Sequence, residues 1–185
     1  MRVVSVNVSS GRSVPWRGHS VSTGIFKEPV SGRVRVEAHG LVGDVQADLA
    51  VHGGTQKAVY AYPSEHYAFW RREYPDMEFG WGMFGENLTT EGLLETDVRI
   101  GDTLRVGTAT AAVTQPRFPC FKLGIKFGRT DIIKRFRRSG RSGFYLAVSN
   151  PGHVAAGDAI EVLERAKGQP TVAEVVRSKV DEDES

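Results

Sequence analysis

The chain has 185 residues with 24 Lys and Arg against 22 Asp and Glu, enough length for one domain with its own core and a formal net charge of only +2. Its single cysteine excludes an internal disulfide and points to a reducing, cytoplasmic setting. With a mean hydropathy of −0.28, an alternating rather than apolar N-terminus and no uncharged apolar run near the ~20 residues of a membrane span, the sequence implies a soluble protein without a secretory leader or membrane association.

In chain order, the sequence reads mostly as short strands punctuated by glycine. Residues 3–8 and 32–38 alternate apolar and polar side chains, and 58–62, 103–106, 109–114, 143–148 and 159–163 are further β-rich runs. With 21 glycines between them, these runs predict a mainly β, closed-barrel architecture rather than alternating βαβ units. Few helices interrupt them. Residues 64–74, bounded by Pro63 and Pro75, place Tyr67, Trp70 and Tyr74 on one face, an aromatic stripe that reads as core. Residues 130–139 bury Ile132, Ile133 and Phe136 and expose Lys134, Arg135, Arg137 and Arg138, with Thr130 or Asp131 as N-cap. After residue 165 the pattern changes: Thr171-Val172-Ala173-Glu174 is a capping box for a short helix, and residues 181–185 form an acidic tail expected to fray. The expected organisation is therefore a β domain over 1–165 and a helical segment with its tail over 166–185.

Charge is distributed unevenly. Residues 117–141 hold nine bases and the single acid Asp131, a net +8, which leaves the rest of the chain at −6. Such a concentration suits an anionic ligand, most commonly a phosphate. At its edge stands Gln115-Pro116-Arg117-Phe118-Pro119-Cys120-Phe121-Lys122, where the lone thiol lies between Arg117 and Lys122. Nearby cations favour the thiolate, and a short helix started by Pro119 would act in the same direction. An inert buried cysteine is the other reading, because free Cys is among the most buried residue types.

Several chemistries are excluded by their missing signatures. The five histidines lack His-Glu-x-x-His spacing, one cysteine cannot build a thiolate cage, and the Walker loop, Gly-x-Ser-x-Gly and the dinucleotide glycine fingerprint are absent. Three further glycine-bearing clusters remain. In Val51-His52-Gly53-Gly54-Thr55-Gln56-Lys57, preceded by Gly43-Asp44-Val45-Gln46-Ala47-Asp48, a Gly-Gly turn exposes backbone N–H groups beside His52 and Lys57 and either binds an anion or is an ordinary turn. In Phe84-Gly85-Glu86-Asn87-Leu88, Glu86 and Asn87 either hydrogen-bond a heterocycle or close a loop. In Arg141-Ser142-Gly143-Phe144-Tyr145, a solvated arginine is the simpler account of Arg141.

The order and spacing of these clusters resemble the MOSC domain, the C-terminal module of molybdenum cofactor sulfurases, and within it the YiiM-like branch; the likeness runs from Gly43 to about Leu163. The resemblance implies a barrel-like fold of the MOSC type, bound molybdenum cofactor (molybdopterin), and Cys120 as catalytic thiolate and molybdenum ligand. His52, Gly53, Gly54, Lys57, Asn87, Arg117 and Lys122 are the residues it brings forward as holding the pterin and its phosphate. For the YiiM-like branch it further implies reduction of N-hydroxylated bases such as 6-hydroxylaminopurine. With no flavin or nicotinamide signature in the chain, the electrons are expected from an external flavoprotein reductase. Longer YiiM-like proteins continue into a C-terminal helical region beyond the equivalent of residues 171–179, which leaves donor docking and a possible homodimer open. A different class of function remains compatible with the resemblance: a sulfur carrier or cofactor-handling protein with a persulfide on Cys120. A nucleic-acid-binding barrel is the third reading and the weakest, since only Phe118, Phe121, Phe127 and Phe136 interleave the charges and two of these look buried.

Overall fold

The structure is a computed structural model and describes residues 1–46 and 53–184. The chain begins with β1 (Arg2–Val8), a hairpin of β2 (Arg12–Trp16) and β3 (His19–Thr23), and the short strands β4 (Glu28–Pro29), β5 (Val34–Glu37) and β6 (Gly40–Leu41). A 3-10 turn at Thr55–Lys57 leads into β7 (Val59–Pro63), followed by α1 (His66–Glu73), β8 (Leu88–Glu91), β9 (Thr103–Val106) and β10 (Ala109–Pro116). Two helices, α2 (Phe121–Phe127) and α3 (Asp131–Arg138), precede β11 (Phe144–Asn150), β12 (Gly152–Val154), β13 (Ile160–Glu164) and α4 (Val172–Glu184). Among the described residues, no helix is long and apolar enough to cross a membrane.

The expected closed barrel does not form. The main sheet has eight strands in the order β13-β9-β10-β11-β7-β8-β1-β4, with β13 and β4 as its two ends. Closing it would require a ladder between β1 and β13. Instead, β1 meets the chain ahead of β13 in one bridge, Arg2 to Ala159, because its backbone partners there belong to a turn: Val3 N–H donates to Asp158 O and Gly157 N–H to Val3 O. The far end of β1 is taken by β4 through only two pairs, Asn7 with Pro29 and Val8 with Glu28, and Pro29 has no N–H to extend that ladder. The sheet is therefore open and mixed, with β7 and β8 its parallel pair and α1 on the connection between them. A three-stranded sheet, β12-β5-β6, and the β2–β3 hairpin stand apart.

Two apolar clusters hold these parts together. One lies among the sheet strands and includes Val3, Val6, Leu104, Val113 and Leu146, and α4 seals it with Val172 and Val176. The capping box at the start of α4 forms as expected: Glu174 N–H donates to Thr171 Oγ1, and Thr171 N–H donates to Glu174 Oε2. This helix, expected to be short with a frayed tail, continues as regular helix through Glu184. The second cluster is aromatic and packs α1, α2 and α3 against β7, with Tyr62, Tyr67, Trp70, Phe84, Phe127 and Phe136 at its centre. The aromatic stripe of α1 is thus core, and two of the four rings among the basic residues, Phe127 and Phe136, are buried within it.

A carboxylate lies inside this aromatic cluster. Glu86 is fully buried, and its Oε1 accepts from Tyr67 OH (2.5 Å), Gly82 N–H (2.9 Å) and Thr89 Oγ1 (2.9 Å), while Oε2 accepts from Phe84 N–H (3.0 Å). Four donors from the loop and its neighbours satisfy the carboxylate, three on Oε1 and one on Oε2, so Glu86 fixes the 82–89 loop from inside the aromatic cluster.

Candidate active site

The end of β10 and the start of α2 position the thiol. Pro116 closes the β10 ladder, Arg117 N–H donates to Gly143 O at 3.3 Å, and Pro119 holds the chain extended into Cys120. Cys120 occupies the N-cap position of α2 with φ −120° and ψ 174°, and its carbonyl accepts from Leu123 N–H at 3.0 Å. Its side chain is half-buried at the wall of a cleft with about 650 Å³ of empty space.

The cleft brings Lys57, Asn87, Arg117, Cys120 and Lys122 together on its lining. Gly53 and Gly54 stand one turn away: Gly54, at φ 87°, donates its N–H to Gln46 Oε1 and accepts from Lys57 N–H as the 3-10 turn begins. His52 lies outside the described residues. Asn87 is committed to the scaffold. Its Oδ1 accepts from Tyr60 N–H at 3.0 Å, and its Nδ2 donates to Asp44 Oδ2 at 2.8 Å and to Asn7 O at 3.4 Å.

Arg117 is the group whose surroundings ask most for a ligand. Its side chain is buried, at 6 % exposure, with the guanidinium 5.0 Å from the Tyr60 ring centroid and 5.5 Å from that of Phe136. Nη1 has no hydrogen-bond partner among the described residues. Burial opposes the charge, but the negative charge that Tyr60, Tyr145 and Cys120 carry when ionised outweighs it and places the pKa above the usual arginine value. Tyr60 is itself pinned, donating its hydroxyl proton to Ser142 O at 2.8 Å. Gly143 permits that approach: at φ 61°, a Cβ there would lie 2.5 Å from Ala61 O and 2.8 Å from the Tyr60 ring.

Sequence reasoning missed Lys27 as a lining residue. Lys27 Nζ binds both oxygens of Asp44, at 2.6 and 2.7 Å, and the same carboxylate accepts from Ser9 N–H and Asn87 Nδ2. Burial lowers the Lys27 pKa, with Asp44 opposing that shift. No local pattern singles out Lys27; it reaches the cleft because Gly24 lets the chain cross the Val45 carbonyl, which a Cβ would meet at 2.1 Å. Tyr145 is the other addition, half-buried on β11 beside Arg117. Arg141 is not simply solvated, since its guanidinium stacks 3.8 Å from the Phe69 ring centroid. The site as a whole is a deep, cation-rich cleft with one thiol at its wall, suited to an anionic ligand that needs a soft donor atom.

Comparison with known proteins gives the family. The MOSC domain profile matches residues 48–161, more than half of the chain. The chain belongs to the MOSC family. Among curated MOSC relatives, it is 42 % identical to protein YiiM of Escherichia coli over 76 % of this chain and 64 % of that protein, and 41 % identical to the uncharacterized protein YflK of Bacillus subtilis over 89 % and 74 %. A protein named reductase from Gibberella moniliformis is 37 % identical over 86 % of this chain and 29 % of its own length. In three dimensions, the crystal structure of YiiM from Geobacillus stearothermophilus superposes with a TM-score of 0.81 at 36 % identity, covering 100 % of this chain and 86 % of that one. YiiM from E. coli superposes at 0.73 and 32 % identity, covering 95 % and 76 %.

Proposed function

We propose that the chain binds molybdenum cofactor in this cleft through Cys120 and reduces N-hydroxylated compounds such as 6-hydroxylaminopurine with electrons from a separate flavoprotein reductase. The observation that carries the reading is Arg117: a buried guanidinium with an orphan Nη1, on the same wall as the sole thiol. An unsatisfied buried donor costs about 1–3 kcal/mol, a cost that an anionic dithiolene or phosphate would relieve. The residues present fit the group. Lys57 and Lys122 bring further positive charge to the same lining, and Cys120 offers the soft donor that molybdenum favours over oxygen. No three His, Cys, Asp or Glu side chains cluster as metal ligands among the described residues, so the pterin would have to bring most of the metal's coordination.

When bound, the cofactor supplies the two-electron redox chemistry. The chain's own contribution is binding, orientation and charge. Arg117 is held by stacking on Tyr60 and Phe136, so its fork meets an anion without losing further side-chain freedom. The positive charge of Arg117 and Lys122 on the same lining would favour the thiolate form of Cys120 as a ligand. Asn87 positions Asp44 and, through Tyr60 N–H, the start of β7, and Lys27 with Asp44 closes the floor as a neutral pair.

The test uses protein produced in cells able to make the cofactor. With reduced viologen as artificial donor, it should convert 6-hydroxylaminopurine to adenine, whereas NADH alone should give no turnover. Turnover with NADH alone, in protein free of contaminating flavoprotein, would overturn the external-donor part. Undiminished turnover by folded Cys120→Ser protein would overturn the assignment of the thiol.

A further inference from the structure

A second groove, with about 930 Å³ of empty space, lies between the β2–β3 hairpin and the α2–α3 pair. Its lining is largely apolar, with Trp16, Val21, Phe121 and Ile133, and Arg17 and His19 stand at the hairpin end. Phe121 is 47 % exposed, a large apolar ring open to solvent in a protein that buries most of its aromatic side chains. Arg17 is the one described non-glycine residue with positive φ, at 48°, so the Trp16 to His19 turn holds an uncommon conformation. The helix α3, which contributes Ile133 to the lining, also exposes Lys134, Arg137 and Arg138. An apolar centre with a basic rim is the anatomy of a protein interface for an acidic partner.

Position relative to the thiol narrows the partner. Cys120 and Lys122 line the deep cleft, whereas Phe121, between them, lines the groove, so the first turn of α2 is the wall that separates the two. A small substrate in the groove would be shut off from Cys120 by that wall. A protein seated there would bring a redox carrier to within one residue of the thiol without entering the cleft.

We propose that this groove is the docking site of the electron donor, an acidic flavin-bearing protein whose apolar contact covers Phe121 and Trp16. The proposal rests on the reductase reading above. Each N–OH group reduced takes two electrons from the donor's reduced flavin and two protons from solvent, and yields the amine and water. The basic rim steers the donor, and the apolar centre supplies the contact.

Flavodoxin, kept reduced by its reductase and NADPH, is the probe, and reduced methyl viologen is the partner-free control. The Trp16→Ser and Arg17→Glu variants of the cofactor-loaded protein are expected to raise the KM for flavodoxin by about tenfold, or more when combined. The wild-type flavodoxin-driven rate should fall with ionic strength, and less so in Arg17→Glu. Viologen-driven turnover should not change. An unchanged flavodoxin KM in the variants, or wild-type protein that turns over with viologen but not with flavodoxin, would overturn the proposal. So would a dimer that Trp16→Ser converts to a monomer, because the groove would then be filled by a second copy. If viologen drives no turnover at all, the reductase reading fails, and calorimetric titration with oxidised flavodoxin decides the docking by itself: binding lost in the two variants supports it, and no wild-type binding overturns it.

Discussion

Replacing Arg117 with Met separates a ligand-binding arginine from a structural one, because the two roles predict opposite changes. In the protein without cofactor, the substitution loses two cation–π contacts, at 5.0 and 5.5 Å, worth about 0.5–2 kcal/mol each. It also removes a buried cation that has no carboxylate partner among the described residues and an unsatisfied Nη1, relieving about 1–3 kcal/mol for the orphan donor alone. The volumes are similar, so no large cavity is added. The raised pKa of Arg117 means that its surroundings favour the cation on balance, so the losses slightly outweigh the relief, and the unfolding free energy of the cofactor-free variant in urea should fall by about 1–2 kcal/mol. Cofactor retention should respond quite differently. A charge-assisted hydrogen bond contributes about 1.5–3 kcal/mol, so affinity should drop roughly 10- to 150-fold, read as molybdenum and pterin remaining per chain after gel filtration. Arg137→Ala, on the exposed face of α3, serves as control and should change stability by less than ~0.5 kcal/mol with the cofactor retained. Loss of more than about 3 kcal/mol in cofactor-free Arg117→Met, with undiminished cofactor in the loaded protein, would refute the reasoning and make Arg117 a core strut.

Two other substitutions test the scaffold around the cleft. Glu86→Gln turns an acceptor of four hydrogen bonds toward its neighbours with an NH2 group, so at least one buried donor faces another; unfolding free energy should drop by about 2–3 kcal/mol, measured in urea. Lys126 is held beside the Ile25 and Gly82 carbonyls, and its removal from water lowers its pKa to about 8. Between that value and the ordinary 10.5, the unfolded chain holds a proton that the folded chain has released, so stability rises with pH across this window, by up to about 3 kcal/mol at its end. Unfolding at about pH 7.5 and about pH 9.5 should show the rise in wild type and a clearly smaller one in Lys126→Met, where the lowered pKa of Lys27 remains to contribute. Tyr60, Tyr62 and Tyr67, which burial keeps protonated, oppose the rise only above their ordinary pKa of 10.0. An equal slope in both proteins would remove Lys126 as its source.

Much of the local structure was legible in the sequence. Alternation placed β1, glycine and proline punctuation bounded α1, and the Thr171 to Glu174 box marked the start of α4, because each signal acts within a few residues. Closure of the sheet was not legible, because it depends on whether β1 and β13, at opposite ends of the domain, share a ladder or a single bridge. The short strands β4, β6 and β8 escaped for a related reason: two to four residues carry no period, and pairing alone makes Leu88–Glu91 a strand between β1 and β7. At the site, the cysteine segment announced Arg117, Cys120 and Lys122, which lie together in sequence. The same local signal left Glu86 and Asn87 ambiguous between ligand and scaffold. The three-dimensional donors, four on Glu86 and those around Asn87, show how both brace the scaffold, while Asn87 also lines the cleft. Lys27 and Tyr60 enter the cleft by tertiary contact alone, across Gly24 and Gly143.

The central claim is that Cys120 holds molybdenum cofactor in this cleft, and the most direct measurement is the metal, pterin and sulfur content of wild-type and Cys120→Ser protein from cells that make the cofactor. The account predicts about one molybdenum and one pterin per wild-type chain, and loss of both from well-folded Cys120→Ser protein. Wild-type protein without molybdenum, carrying instead a single extra sulfur on Cys120 by mass spectrometry, would contradict it and make the thiol a sulfur carrier.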